Sequence, residues 1–190
     1  VPPTGCLRIG LADQPEEQAQ VWLDWEPKAH SHLALLGRAE AGSVSAASVL
    51  GRQHVAHLPS RHLYVLDGDG SLAWATGLPQ TGAYVPPQDP ARASRVLSVL
   101  AGILLERLAA PQSDPGITLL VSGWGRWQES FRSLRSSNAE DLLLTLARDG
   151  AAGDICLLVS GNRELTTARF FQLLPNRLWF PAGLSEDALL

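Results

Sequence analysis

Two unbroken apolar runs, Ile117–Val121 (ITLLV) and Ile155–Ser160 (ICLLVS), constrain this chain more than any other feature. A strand with one face in water alternates apolar and polar residues. A continuous run of this length needs cover on both faces, as the central strands of a parallel sheet have. His32–Leu36 (HLALL) and His62–Leu66 (HLYVL) read as further strands, Ala83–Val85 as a short one and Asn176–Phe180 as a last one. Amphipathic stretches lie between them. Ser43–Ala56 reads as a helix, and Asp89-Pro90 supplies an N-cap and a first-turn proline for a long helix reaching about Ala109. Its apolar face is expected to hold Val96, Val99, Leu100, Ile103, Leu104 and Leu108, with Arg92, Arg95, Ser98, Gly102 and Glu106 opposite. Asn138 caps a third helix, with Glu140 and Asp141 in its first turn and Gly150 at its end. A short helix is expected from about Arg163 to Leu173, and a loop at 111–116. The order of elements predicts an α/β fold, a twisted and mostly parallel sheet with helices on both faces.

Composition narrows the function classes. The 190 residues, 45% hydrophobic and 18% charged, suit one globular domain over 1–190 rather than a disordered chain. A net charge of −4 does not suggest a nucleic-acid binder. Cys6 and Cys156 lack zinc-ligand spacing and read as reduced structural thiols. No apolar run reaches membrane-spanning length, so no direct membrane contact is expected from this segment. The absence of Met suggests a piece of a longer, multi-domain protein.

Between the first strand and its helix lies GRAEAGSV, residues 37–44, where a phosphate-binding loop belongs in such a fold. Gly37 and Gly42 have the P-loop spacing, but Ser43 stands at the Lys position and Val44 at the Ser/Thr position. By itself the glycine pair reads as an ordinary strand-to-helix turn rather than as a nucleotide loop. At the end of Ile117–Val121, where P-loop enzymes carry an acid that holds Mg²⁺ or polarises water, the chain has Ser122. Lys28, the sole lysine, precedes the first core strand and is not placed to substitute.

These segments together resemble the FtsK/SpoIIIE family of RecA-like ATPases, and most of all the tandem ATPase domains of EccC-type type VII secretion motors. The most specific stretch is HLYVLDGDGSLAWATGLPQTGAYVPPQDPARASRVLSVL, residues 62–100. LRIGLADQPEEQAQ (7–20) resembles the segment before the first core strand, LLVSGWGRW (119–127) the acid-bearing strand, LLVSGNREL (157–165) the sensor strand and PNRLWF (175–180) the strand after it. The resemblance implies a RecA-like P-loop NTPase fold and a cytoplasmic domain of a membrane-anchored bacterial protein. It implies neighbouring ATPase domains of the same chain as partners, and secreted WXG-type proteins as substrates. With Lys, Ser/Thr and acid replaced by Ser43, Val44 and Ser122, a pseudo-ATPase with no catalytic residue is expected. No cofactor or metal is expected. The alternatives are a domain that still binds ATP and Mg²⁺, for which Gly42 and Ser43 amides could hold a phosphate, or a DNA-translocating module.

Other features read as structural. DGDGS (67–71) lacks the flanking ligands of a calcium loop and is a turn closing a strand. His54 and His57 have a chelating spacing but no third ligand, and read as surface polar residues. Arg163 and Arg177 lie where the family carries arginines near nucleotide or neighbours, and equally suit an ordinary surface. Of the six tryptophans, Trp124 and Trp127 follow the central strand and Trp22 and Trp25 flank the entry segment; an exposed cluster of them would suggest a protein partner rather than a ligand.

Overall fold

The computed structural model describes residues 2–110, 115–134 and 138–182. Positions 111–114 of the expected loop lie outside the described residues. Six parallel strands form the main sheet in the order β5-β4-β6-β7-β3-β8. They are β3 (Leu33–Gly37), β4 (His62–Asp67), β5 (Thr81–Val85), β6 (Ile117–Ser122), β7 (Ile155–Gly161) and β8 (Asn176–Phe180). The two unbroken apolar runs are the two central strands, as their composition requires.

Side chains alternate across the sheet and divide the core in two. Leu33 and Leu35 of β3, Leu120 of β6 and Leu158 of β7 join Ala47 and Leu50 of α2 (Ser43–His57). Ala34, Leu36, Leu119, Val121 and Val159 point the other way, against α3 (Pro90–Ala109), α4 (Trp124–Ser133) and α5 (Ala139–Asp149). Helices therefore cover both faces.

The long helix α3 is capped as expected, the Asp89 carboxylate accepting the Arg92 amide at 3.0 Å. Its buried stripe, however, is Ala93, Leu97, Leu100, Ala101 and Leu104; Val99 is 55% and Leu108 43% exposed. Apolar residues surround so much of this helix that periodicity admits two faces, and packing against the sheet and α5 selects the one with small residues at 93 and 101. The expected helix from Arg163 to Leu173 is broken into α6 (Arg163–Thr166) and a separate turn at Phe171–Leu173. Thr166 and Thr167 hydroxyls donate back to the Arg163 and Glu164 carbonyls, a competing local bond that ends the helix. The helix α4, unpredicted, buries Trp124, Trp127 and Phe131, spaced three and four apart.

An antiparallel hairpin precedes the sheet, β1 (Leu7–Gln14) and β2 (Ala19–Trp25), followed by a single helical turn, α1 (Pro27–His30). The Gln53 side chain of α2 pins it, accepting from the Arg8 amide at 2.8 Å and donating to the Arg8 carbonyl at 2.9 Å. Gln53→Ala is expected to release both bonds, worth about 2 kcal/mol together, and to speed amide exchange in the hairpin about 30-fold. Exchange in β6 and β7 should stay unchanged.

At the amino ends of the strands, buried Arg61 donates to Thr118 Oγ1, the Ile117 carbonyl, Asp154 and Cys156 Sγ. It ties β4, β6 and β7 together. Burial pushes the Cys156 thiol up to about 11, and both cysteines are free thiols. His54 is 1% exposed, inside α2's buried face rather than on the surface, and neither of its ring nitrogens has a partner among the described residues.

Candidate functional site

The carboxyl ends of β3, β4, β6 and β7 converge on a cleft of about 360 Å³, the crevice where open parallel sheets bind ligands. Gly37, Ser43 and Val44 line it together with Gly123, Ser160 and Glu164. Gly37 ends β3 so close to β8 that a Cβ there would lie 2.6 Å from the Phe180 carbonyl oxygen, and only glycine fits.

The loop after Gly37 is a tight turn at Ala39–Ala41. The Ala41 amide donates to the Arg38 carbonyl at 3.0 Å and the Gly42 amide to the Ala39 carbonyl at 3.1 Å. The Gly42 amide is thus engaged within the loop and not presented to a ligand. Ser43, 2% exposed, places its hydroxyl 2.9 Å from the Gly37 carbonyl and 3.1 Å from that of Arg38. The hydroxyl closes the turn. Among the described residues the first-turn amides of α2, at Ser43, Val44 and Ser45, make no bond to a protein acceptor. Glu40 at the loop tip lies 4.0 Å from Arg38 in an exposed pair.

Ser122 ends β6 directly beside Asp67, the last residue of β4. Its hydroxyl donates to Asp67 Oδ1 at 3.1 Å and lies 3.2 Å from Asp69 Oδ1. Asp67 is wholly buried and accepts four bonds: from the Gly70 amide (2.8 Å), the Leu72 amide (2.9 Å), the Tyr84 hydroxyl (2.9 Å) and Ser122. DGDGS is accordingly a turn folded around its first carboxylate. Burial, with the Asp67 hydrogen bond, pushes the Tyr84 hydroxyl up to about 12. On the cleft's far wall the Gly123 amide donates to Ser160 Oγ at 3.4 Å. Arg126 of α4 and the acidic residues Asp69 and Glu164 also line the cleft. Among the described residues no group of three His, Cys, Asp or Glu side chains is placed to hold a metal ion.

A larger cavity, about 530 Å³, opens at the opposite end of the strands. Lys28 lines it, with His62, Arg61 and Asp154. The lone lysine and the Ser43 loop therefore occupy opposite ends of the sheet.

No family model matches the chain. It is 26% identical to the ESX-4 secretion system protein EccC4 of Mycobacterium tuberculosis over 186 aligned residues, 83% of this chain and 14% of that protein. EssC (ATPases 2 and 3) of Geobacillus thermodenitrificans superposes with a TM-score of 0.79, 19% identity, over 98% of this chain and 39% of EssC. EccC of Thermomonospora curvata matches as its cytoplasmic domain, with TM-score 0.79, 21% identity, and 97% and 24% coverage. Its ATPases 2 and 3 in complex with a signal sequence peptide match with TM-score 0.72, 20% identity, and 93% and 36% coverage. This chain has the RecA-like fold of these EccC and EssC ATPase domains and is similar in sequence to EccC4.

In this domain the residues expected at the site, Gly37, Gly42, Ser43, Val44 and Ser122, fall at one end of the sheet. Only three of them, Gly37, Ser43 and Val44, face the cleft; Ser122 lies behind, against Asp67. Sequence reasoning missed Asp67 and Tyr84 as partners of Ser122, and Arg126 and Glu164 as the cleft's charges. An acid ending an apolar strand, as in HLYVLD, was the available signal for Asp67. Arg126 went unseen with α4. Arg177 is structural, bonded to the Leu174 carbonyl and stacked 4.3 Å over Phe171, while Arg163 is exposed on α6.

Proposed function

We propose that this EccC-like domain is a catalytically silent member of a type VII secretion motor, working on the cytoplasmic side of a membrane-anchored complex. In that role it docks against neighbouring ATPase domains of its own chain and helps recognise secreted WXG-type proteins. The chain spans 14% of its curated relative, and the solved neighbours are chains of several ATPase domains, one of them with a signal sequence peptide bound.

The observation that carries the reading is the occupation of the phosphate end by protein groups. The Ser43 hydroxyl and the Gly42 amide bond within the loop, and Ser122 bonds to Asp67. Phosphoryl transfer to water needs cations on the β- and γ-phosphates and an acid–hydroxyl pair on Mg²⁺. Val44 has no hydroxyl, Ser122 is not an acid, and Asp67 is saturated by four donors. These residues do not suit Mg²⁺–ATP.

Turnover measured on the purified domain with ATP and Mg²⁺ should stay at the uncatalysed background. Metal-dependent hydrolysis removed by Ser43→Ala or Ser122→Ala would sink the proposal. A second reading, nucleotide held without hydrolysis, draws on the three free amides of Ser43–Ser45 at the mouth of the cleft. Calorimetric titration with ATP and Mg²⁺ separates the two, since the first predicts no saturable heat. A DNA-translocating role is disfavoured by the −4 net charge, and salt-sensitive DNA binding by the domain would favour it.

A further inference from the structure

Residues 7–30, the β1–β2 hairpin and the turn α1, form an arm whose strands hydrogen-bond only to each other. The arm seats on the body through Leu7 and Trp25, both buried with Leu33 and Leu58 in the core on the α2 side. Its polar ties are few. Gln53 holds the Arg8 backbone, and the buried Cys156 thiol donates to the Pro27 carbonyl at 2.8 Å. The cavity of about 530 Å³ lies in the seam, with Glu26, Pro27 and Lys28 of the arm on one side and Ser60, Arg61 and Asp154 of the body on the other. The seam is therefore packed less completely than the sheet's interior.

The arm joins β3 through Ser31, and that residue is strained. Its φ of 64° and ψ of −135° lie in a region that only glycine occupies freely. Among the described residues two other non-glycine positions have positive φ, Gln18 and Asp154, and both take the milder left-handed helical conformation. Side chains on either side hold Ser31 in place. Trp25 Nε1 donates to its carbonyl at 3.0 Å. Asn176, the first residue of β8, spans it, Nδ2 donating to the His30 carbonyl at 2.5 Å and the His32 carbonyl at 2.9 Å. Strain of this kind persists only where the surroundings impose it.

We propose that residues 7–30 are a spring-loaded arm, a cooperative unit that lifts from the body about Ser31 while the six-stranded sheet stays folded. Lifting uncovers the Cys156 thiol and opens the seam cavity. A two-stranded hairpin is marginal alone, so the lifted arm loses its own pairing as well. Relaxation of Ser31 favours the lifted state, and Asn176 is the strap that opposes it. The device does not depend on whether the cleft takes nucleotide.

Labelling of Cys156 by N-ethylmaleimide in the folded 190-residue chain tests it, with Cys6→Ser leaving one thiol and the urea-unfolded chain giving the intrinsic rate. Labelling is expected to be faster than global unfolding allows, with a urea dependence well below the global m-value. Ser31→Gly should slow it about fivefold relative to Ser31→Ala, because glycine removes the strain that the seated arm imposes. Asn176→Ala should speed it about tenfold, through loss of both strap bonds. Leu143→Ala, in the core on the other side of the sheet, should lower the urea midpoint and leave labelling unchanged. Labelling that carries the full global m-value, or that accelerates with Leu143→Ala, overturns the arm as a separate unit. Equal rates for Ser31→Gly and Ser31→Ala overturn Ser31 as its hinge.

Discussion

Asp67→Ala is expected to lower folding stability by about 4 kcal/mol, because one truncation removes the acceptor of four donors around a wholly buried carboxylate, the Leu72 amide and the Ser122 hydroxyl being in fully buried bonds and the other two in part-buried ones. Each orphaned buried donor costs about 1–3 kcal/mol, and partial relaxation keeps the sum well below the maximum. The carboxylate joins the turn at Gly70–Leu72, Tyr84 of β5 and Ser122 of β6, so its loss loosens three elements together. Asp67→Asn keeps one acceptor oxygen but turns an amide toward two of the four donors, one an N–H and one a hydroxyl that can rotate, and should cost about half as much. Tyr84→Phe removes one bond and should cost about 1 kcal/mol. Urea unfolding midpoints at constant m-value provide the measurement. A loss below about 1 kcal/mol for Asp67→Ala would show that this network does not form.

Mild acid should destabilise the domain through two buried histidines. Burial holds His32 down to about 4 and, reinforced by the Arg61 cation, His54 down to about 3. The His32 ring is fixed as its neutral Nε2–H tautomer. Nδ1 accepts from the Leu157 amide at 3.0 Å and Nε2 donates to the Ala147 carbonyl at 3.0 Å. Both folded values lie below the ordinary histidine value near 6.5, so the unfolded chain takes up protons first as pH falls. Stability is therefore complete above about pH 6.5 and declines toward the folded values. At pH 5 the loss is about 2 kcal/mol per histidine, about 4 in total, and Tm should drop by roughly 8–16 °C relative to pH 7.5.

The two histidines separate by substitution. His54→Leu should remove half of the pH dependence and leave neutral-pH stability equal or higher, because two unpartnered buried nitrogens disappear. His32→Gln should remove the other half while lowering stability at pH 7.5, because the bridge between α5 and β7 is broken. A flat Tm between pH 7.5 and 5 in the unaltered chain would contradict both assignments.

Local signals were legible wherever the controlling physics is local. Ile117–Val121 and Ile155–Ser160 announced buried parallel strands because an apolar run cannot tolerate water on either face. Asp89-Pro90 announced the start of α3 because a cap is satisfied within four residues. The position of the Ser43 loop followed from strand, glycine and helix in sequence. Val99, His54 and the hairpin were not legible. Val99 and Leu97 are both apolar, and only the sheet and α5 decide which of them is covered. His54 looks polar on any scale, yet α2's buried face claims it. The hairpin's strands pair only with each other and are held by a side chain 45 residues from Arg8.

The sequence by itself determined the class of fold, the place of the strand–glycine–helix loop at Gly37–Val44, and the identities of Ser43, Val44 and Ser122. These are properties of periodicity and of residue identity at a given spacing. Tertiary structure alone decided that Ser122 is bonded to Asp67, that the Ser43 hydroxyl closes its own loop, and that the apolar side chains of one sheet divide into two cores. Each of these depends on which strands become neighbours and which helix face is covered. Such choices are made by packing energy shared among residues far apart in the chain, and a reading along the chain does not contain it.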